Sequence, residues 1–336
     1  MKIVLKSPLD MHLHLRDADM LKNVAKYSSS CFAGAIIMPN LVPPITTIDD
    51  VKAYKNRIKE ATKGDIFEPY MTLFFKDSYD YDFLKEAKNF VKAIKLYPTG
   101  ITTNSEGGVS NFDIDNLRGT LEAMSELEIP LSVHGETDGF ILEREQEFGK
   151  FYEKLAKAFP KLKIIMEHIS DRHSVELLKE YENLYATITL HHLLITLDDV
   201  IGGSLKPHLF CKPIAKRYED REALQEIALS GYKKIMFGSD SAPHLKEKKE
   251  SFEGVAGIFS TPILIPALCE LFDKNGKLEN LQRFISDNAK EIYDIEPLEK
   301  EIIVEKNEFL VPKICDGVVP MLAGEKLLWR CQGESQ

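Results

Sequence analysis

The sequence has few cysteines and no excess of positive charge, and both shortages exclude classes of protein. The cysteines are not arranged as C-x-x-C pairs, so neither a disulfide framework nor a zinc ribbon is expected. We expect them to be reduced thiols of a cytoplasmic protein. They are Cys31, Cys211, Cys269, Cys315 and Cys331. The net charge of −10, from 43 basic and 53 acidic residues, argues against a partner bound through nucleic-acid phosphates.

Long apolar runs are also missing. No segment approaches the roughly 18 apolar residues of a membrane span, and Pro8 interrupts the N-terminus too early for a signal peptide. A short basic run at 246–249 is predicted to be a solvated helix start. We therefore expect no nucleic-acid or membrane partner, and an anionic small-molecule substrate would need a local arginine or metal.

The chain contains an alternation of short apolar runs and longer amphipathic ones. The predicted strands are 1–5 or 9–15, then 35–39, 69–75, 93–97, 131–134, 164–168, 186–189 and 235–237. The predicted helices are 20–28, 47–61, 83–90, 114–127, 141–159, 174–181, 221–229 and 262–272. Eight alternating units favour an α/β fold of the (β/α)8 barrel type over an open doubly wound sheet. No glycine-rich nucleotide loop follows an early strand.

The alternation stops after about residue 277. A helical stretch at 281–293 and strand-like stretches at 301–311 and 326–329 follow. We interpret 1–336 as one domain, with the barrel at about 1–277 and an extension packed on it at about 278–336.

Five residues lie on or just after predicted strands, at the strand ends where barrel enzymes have their active sites. His12 and His14 are two apart on a predicted strand, so both side chains project from one face and can converge on a metal ion. His134, His168 and Asp240 each follow or end an apolar run. Because the carboxyl ends of barrel strands meet at one rim, this set predicts a metal site.

Lys95 lies inside an apolar run, near its carboxyl end. A snorkelling or ion-paired lysine is the ordinary interpretation. Beside so many metal ligands we favour another, in which the neutral amine reacts with carbon dioxide and the resulting carbamate bridges two cations.

Several short motifs occur in a fixed order along the chain. They are DMHLHLRD at 10–17, MPNLVPP at 38–44, KLYP at 95–98, VHGE at 133–136, EHI at 167–169, KPHLFC at 206–211, GSDSAPH at 238–244 and LAGE at 322–325. This order resembles the amidohydrolase superfamily and, within it, the class II dihydroorotases. That resemblance implies a hydrolase of cyclic amides that reversibly closes N-carbamoyl-L-aspartate to (S)-dihydroorotate in pyrimidine biosynthesis.

The resemblance also implies a cofactor of two Zn²⁺ ions. His12, His14, carboxylated Lys95 and Asp240 would hold the first, and Lys95, His134 and His168 the second. A hydroxide would bridge them, and Asp240 would act as general acid and base. The same ligand types accept manganese or cobalt, so the metal stays open.

Substrate contacts are implied in the same way. The resemblance assigns the substrate carboxylate to Arg16, Asn40 and His244, and the ring amides to main-chain groups near Lys212 and Ala256. His134 also contacts substrate, and Thr102 and Thr103 belong to a loop at 99–108 that closes over it. Lys212 is a departure, since relatives carry an apolar residue there. The alternative for Arg16 is a surface ion pair with Asp17 or Asp19.

Two other functions stay open from the sequence. One is a hydantoinase-like cyclic amidase, which the early position of His12 disfavours because it leaves no room for an N-terminal β-sandwich. The other is a non-catalytic barrel scaffold, although no metal ligand is missing. A homodimer is common among relatives, but the sequence does not predict which surface would form its interface. His173 is expected at the surface, His191 and His208 have no assigned role, and His192 is a candidate neighbour of the metal ligands.

Overall fold

The computed structural model of the chain describes residues 1–332, in which eight parallel strands form one sheet in consecutive order. Following the N-terminal strand β1 (Lys2–Lys6), they are β2 (Leu9–Leu13), β3 (Gly34–Ile37), β4 (Glu68–Phe74), β5 (Ala93–Leu96), β6 (Leu131–Val133), β7 (Ile164–Met166), β8 (Leu184–Ile188) and β9 (Ile235–Phe237). Their residues are almost all buried, as expected of parallel strands covered on both faces.

Hydrogen bonds beyond the ends of β9 and β2 complete the circle. The backbone N–H of Asp240 donates to the carbonyl of His12 at 2.8 Å, and that of His14 donates to Ser241 at 3.2 Å. The prediction of a (β/α)8 barrel is confirmed.

Twelve α-helices accompany the strands within residues 1–332. They are α1 (Ala18–Ser29), α2 (Ile48–Ala61), α3 (Tyr81–Ala87), α4 (Ile114–Glu126), α5 (Arg144–Ala158), α6 (Arg172–Glu180), α7 (Leu190–Leu194), α8 (Leu197–Ile201), α9 (Tyr218–Leu229), α10 (Lys246–Lys249), α11 (Leu264–Lys274) and α12 (Asn288–Tyr293). Their apolar residues recur every three or four positions and face the barrel, as Val51, Tyr54 and Ile58 do in α2. Thr47 and Asp50 form a capping box at its start.

The structure decides between the two predicted first strands. Leu9–Leu13 enters the barrel, whereas β1 pairs antiparallel with β10 (Glu301–Glu305) of the extension. β10 also pairs with β13 (Arg330–Cys331), and β11 (Phe309–Leu310) pairs with β12 (Lys326–Leu327). The domain limits stay a prediction, and residues 333–336 of the predicted extension lie outside the described residues.

Two further features bear on the sequence analysis. None of the helices within residues 1–332 combines the length and apolar character needed to cross a membrane. The basic run forms α10, where Lys246 to Lys248 are exposed but Lys249 is buried. The prediction of a solvated helix start is wrong for Lys249, because its ammonium group finds buried carbonyl acceptors.

Candidate metal centre

The predicted metal ligands all lie at the carboxyl-end rim of the barrel. Each is buried and belongs to a strand or to the residues just after one. They are His12 on β2 with His14 after it, Lys95 on β5, and His134, His168 and Asp240 following β6, β7 and β9. The barrel brings together residues that are up to 228 positions apart in the sequence, from His12 to Asp240.

One group of ligand atoms is formed by His12, His14 and Asp240. Nε2 of His14 lies 3.1 Å from Oδ1 of Asp240, and Nε2 of His12 lies 3.5 Å from the same oxygen. The two Nε2 atoms are 3.3 Å apart. Three potential ligand atoms therefore surround one point.

A second group adjoins the first. Nδ1 of His134 lies 3.1 Å from Nε2 of His168. The ring centroid of His168 is 4.9 Å from that of His12. The five predicted ligands other than Lys95 thus form two neighbouring clusters.

Three of the four histidines place the ring nitrogen that is turned away from these clusters against an oxygen acceptor, whereas Nδ1 of His168 has no partner within residues 1–332. His12 Nδ1 meets Glu167 at 2.8 Å, His14 Nδ1 meets Asn40 Oδ1 at 2.9 Å, and His134 Nε2 meets Glu136 at 2.7 Å. Asn40 donates its Nδ2 to the carbonyl of Thr103 at 2.9 Å, so its Oδ1 is the atom that accepts from His14. His12, His14 and His134 therefore each carry their proton on the outer nitrogen and direct a lone pair into the cluster.

These lone pairs face other acceptors. In the first cluster, two imidazole lone pairs meet each other and the carboxylate of Asp240 within 3.5 Å. Acceptors that face one another without a proton between them repel, unless a cation lies among them. The donor set fits divalent zinc, which takes imidazole nitrogen and carboxylate oxygen.

Protonation states agree with metal binding. Burial lowers the pKa of His14 to about 4 and that of His168 well below its usual value, so both imidazoles are neutral at pH 7. Burial raises the pKa of Asp240, but the surrounding histidines, His14 foremost, outweigh it and lower the pKa. Neutral imidazoles and an ionised carboxylate are the forms that metals bind.

Lys95 is fully buried, and its Nζ has no hydrogen-bond partner among the described residues. The nitrogen lies 5.1 Å from the ring centroid of Tyr97. Burial lowers the pKa of Lys95 to about 8, against the opposing influence of Glu167 and Asp240. A buried ammonium group without acceptors is unfavourable, so this amine fits a modified, metal-bridging role.

Local backbone geometry directs these side chains over the rim. His168 and Asp240 have φ values of +41° and +43°, in the left-handed region that non-glycine residues rarely adopt. A Cβ atom at Gly238 would lie 2.9 Å from Cβ of both His12 and Thr187. Only glycine therefore allows β9 to approach β2 this closely beneath the metal ligands.

A cavity opens above the clusters. Among the predicted substrate residues, Arg16, Asn40, Thr102, Thr103, His134, Lys212 and Ala256 line it. His244 borders it through Arg16, whose Nη2 lies 3.1 Å from its Nε2. Tyr97, Ala242 and Gly257 complete the wall and were not predicted.

Arg16 does not form the surface ion pair that was its alternative. Asp17 pairs with Arg57 at 2.9 Å, and Asp19 pairs with Lys22 at 3.2 Å. Arg16 turns inward instead and, with Lys212, is one of two cationic residues that line this cavity.

The loop at 99–108 covers the cavity. Its Thr103 carbonyl accepts from Asn40, and Asn104 donates to the backbone carbonyl of Asn40 at 2.9 Å. Lys212 donates from Nζ to the carbonyl of Ile101 at 2.7 Å. The side chain of Lys212 therefore contacts the loop.

The comparisons with known proteins agree with this geometry. Residues 6–296 match the amidohydrolase family. A curated dihydroorotase of Helicobacter acinonychis (strain Sheeba) is 46% identical over 338 residues, which cover 99% of each chain. The chain belongs to the amidohydrolase family, within its dihydroorotase group.

Solved structures extend the agreement to three dimensions. The crystal structure of dihydroorotase from Campylobacter jejuni is 58% identical, with a TM-score of 0.95 over 98% of this chain and 97% of that one. Dihydroorotase from Saccharomyces cerevisiae, in complex with 5-fluoroorotic acid, is 34% identical, with a TM-score of 0.92 over 100% of this chain and 99% of that one. L-hydantoinase from Arthrobacter aurescens shares the fold, with a TM-score of 0.83 at 17% identity over 99% of this chain and 85% of that one.

The remaining histidines lie outside these clusters. His192 is buried and hydrogen-bonded through both ring nitrogens, to Thr189 at 2.9 Å and to Pro213 at 3.0 Å. His208 pairs with Glu250 at 3.0 Å, and His173 is half-buried at the start of α6. None of the hydrogen bonds or ring contacts described for these three residues is with a predicted metal ligand, although His192 interacts electrostatically with His168 and Asp240.

His191, His192 and Cys211 also bring three potential ligand atoms within 4.8 Å of one another. His191 has no hydrogen-bond partner on either ring nitrogen within residues 1–332. The nitrogens of His192 are already used, however, and burial raises the pKa of the Cys211 thiol to about 12. We therefore assign no metal to this group.

The sequence analysis missed the carboxylates that orient the histidines. Glu167 also accepts from Thr187 at 2.6 Å and from Ser132, and it is fully enclosed in the barrel. The available signal was the position of Glu136 and Glu167 within two residues of a predicted ligand histidine.

We expect Glu167→Gln to weaken zinc binding by roughly 10- to 100-fold, because His12 loses the anion that fixes its proton and orientation. Titration with a chelator followed by elemental analysis of the protein measures this. Glu176→Gln, at an exposed position on α6, is the matched control. Equal zinc affinity in the two variants would contradict the orienting role.

Proposed function

We propose that this chain catalyses the reversible cyclisation of N-carbamoyl-L-aspartate to (S)-dihydroorotate and water, the third step of pyrimidine biosynthesis. The observation that carries the proposal is the convergence of imidazole lone pairs and a carboxylate beneath a cavity lined by Arg16. A cyclic amide with a carboxylate substituent fits such a site. The close relatives named above as dihydroorotases support the choice of substrate.

The metals in this proposal are two zinc ions. His12, His14, carboxylated Lys95 and Asp240 would hold one, and Lys95, His134 and His168 the other. When bound, they would lower the pKa of a water molecule and polarise the carbonyl under attack. The carbamate forms when the neutral amine of Lys95 attacks the carbon of carbon dioxide and loses a proton, which creates an N–C bond and an anion.

Asp240 moves the proton. In ring opening its carboxylate takes a proton from the attacking water and delivers it to the ring nitrogen that leaves. In cyclisation it takes the proton from the attacking carbamoyl nitrogen and delivers it to the departing oxygen. Its lowered pKa provides the ionised form that the first of these steps needs.

Arg16, Asn40 and His244 hold the substrate carboxylate. The guanidinium fork matches a carboxylate, and Asn40 has a second N–H beside the one given to Thr103. Burial lowers the pKa of His244 to about 3, so it is neutral and can accept from Arg16. Its main contribution is then to orient the arginine.

The rest of the cavity encloses the ring. Main-chain groups at Lys212 and Ala256 face the ring amides, His134 also contacts the substrate, and Thr102 and Thr103 cover it from the loop. A cytoplasmic location and a homodimer stay predictions.

Assays of dihydroorotate, carbamoyl-aspartate and hydantoin test the reaction directly. Ring opening converts a neutral amide and water into a carboxylate and a released proton, so the open form should gain about tenfold per pH unit. Acid therefore favours cyclisation and alkali favours hydrolysis. An equilibrium ratio that is flat between pH 6 and 8, or turnover of hydantoin alone, would exclude the proposed reaction.

Lys95→Ala should abolish turnover and lower the metal content, because it removes the bridging anion. Added short carboxylic acids should restore part of both. Elemental analysis and turnover are compared with Lys92→Ala, an exposed neighbour that should behave as wild type. Full activity with two metals in Lys95→Ala would disprove the carbamate.

Arg16→Lys and Asp240→Asn should fail in different ways. Arg16→Lys keeps the charge but loses the fork, and one charge-assisted hydrogen bond is worth about 1.5–3 kcal/mol, so KM should rise roughly 10- to 100-fold with both metals retained. Asp240→Asn loses the proton carrier, so kcat should fall by roughly 10²- to 10⁴-fold with a smaller change in KM. Normal turnover in Asp240→Asn would make Asp240 a structural ligand only.

A further inference from the structure

Lys249 is a buried lysine that the proposed mechanism does not use. It ends α10 and is 3% exposed, whereas the three preceding residues of the helix are exposed. Its Nζ donates to three backbone carbonyls, those of Phe210 at 3.0 Å, Val255 at 2.9 Å and Gly257 at 2.6 Å. An ammonium group has three N–H donors, so all of them are used.

The three carbonyls belong to two separate segments of the cavity wall. Phe210 lies two residues before Lys212, and Val255 and Gly257 flank Ala256. Lys212, Ala256 and Gly257 all line the cavity. The two segments also meet directly, since the N–H of Gly257 donates to the carbonyl of Phe210 at 2.9 Å. One ammonium group therefore joins both pieces of main chain that face the substrate ring.

The second segment also packs against the carboxylate-binding residues. A Cβ atom at Gly257 would lie 2.9 Å from Cδ2 of His244 and 2.5 Å from the carbonyl oxygen of Ala242. The φ value of Gly257 is +141°, which residues with a Cβ atom rarely adopt. A shift of this segment would therefore disturb His244, and through it Arg16.

A buried ammonium group is energetically costly, and Lys249 has no carboxylate within salt-bridge distance in the described part of the chain. Burial lowers the pKa of Lys249 to about 8. A methionine could fill the same space without that cost. The three charge-assisted hydrogen bonds are thus the specific contribution of the lysine.

We propose that Lys249 is a positioning residue that fixes the segments 210–212 and 255–257 relative to each other, so that their main-chain groups face the ring of the substrate. This inference rests on the proposed function for the identity of the substrate. Lys249 touches neither the metal ligands nor, in the proposal, the reacting atoms. Its loss should therefore weaken substrate binding more than it slows the chemical step.

The experiment compares Lys249→Met, which removes the donors and keeps the length, with Lys249→Arg, which keeps charge and N–H groups. Lys248→Met, the exposed preceding residue, is the matched control. In Lys249→Met the KM for dihydroorotate and carbamoyl-aspartate should rise roughly tenfold or more, because charge-assisted hydrogen bonds are lost. Metal content should stay at the wild-type value and kcat within about threefold of it. In Lys249→Arg the rise in KM should be smaller, and Lys248→Met should have the KM of wild type.

Amide hydrogen exchange provides a measurement that does not depend on turnover. In the metal-loaded protein without substrate, residues 210–212 and 255–257 should exchange faster in Lys249→Met than in Lys248→Met, with the barrel strands unchanged. If wild type turns over neither substrate, the proposed function fails while exchange still tests the role of Lys249.

Three results would overturn the inference. One is wild-type KM and exchange in Lys249→Met. Another is a parallel loss of metal, kcat and protection throughout the barrel, which would make Lys249 a general stabilising residue. If Lys249→Met does not fold, Lys249→Gln and Lys249→Arg are compared with wild type in the same way. The third contrary result would then be a wild-type KM in both of these variants.

Discussion

The hydrogen bonds that close the barrel between β2 and β9 also assemble the metal centre. Asp240 donates its backbone N–H to His12, and the carboxylate of Asp10 accepts from the N–H groups of Ser239 at 2.7 Å and His12 at 3.2 Å. The first and last strands of the barrel therefore meet at the predicted metal ligands. Because closure fixes the relative height of these strands, the ligand geometry follows from the fold and cannot shift without opening it.

The interior of the rim is polar, and several of its buried atoms, among them Lys95 Nζ and His168 Nδ1, have no hydrogen-bond partner within the described residues. The carboxylates behind the histidines take the outer protons, which leaves lone pairs facing inward. Without cations these lone pairs would face one another at the base of the cavity. If the proposed metals bind there, their binding energy would offset part of the cost of burying so many polar groups.

The fold, and the meeting of the predicted ligands at one rim, could be predicted from the sequence because both depend on local spacing. His12 and His14 share a strand face, and His134, His168 and Asp240 follow apolar runs, so strand ends alone bring them to one rim. The roles of Glu167 and Lys249 could not be derived this way, although Glu167 stands next to a predicted ligand histidine. Their partners come from distant segments: Ser132 and Thr187 lie 35 and 20 residues from Glu167, and Phe210 lies 39 residues from Lys249. In sequence Lys249 resembles an ordinary surface charge.

Asn40 connects the rigid rim to the loop that covers the cavity. Its Oδ1 is fixed by the proton of His14, so the amide plane cannot rotate and Nδ2 must point towards Thr103 and the cavity. The backbone of Asn40 in turn accepts from Asn104 of the same loop. A loop seated on Asn40 is therefore positioned by the same imidazole that directs a lone pair to the metal cluster. The side chain of Asn40 therefore aligns the loop with His14, which is a predicted metal ligand, and this accounts for the position of a loop of small polar residues over a site built from the barrel.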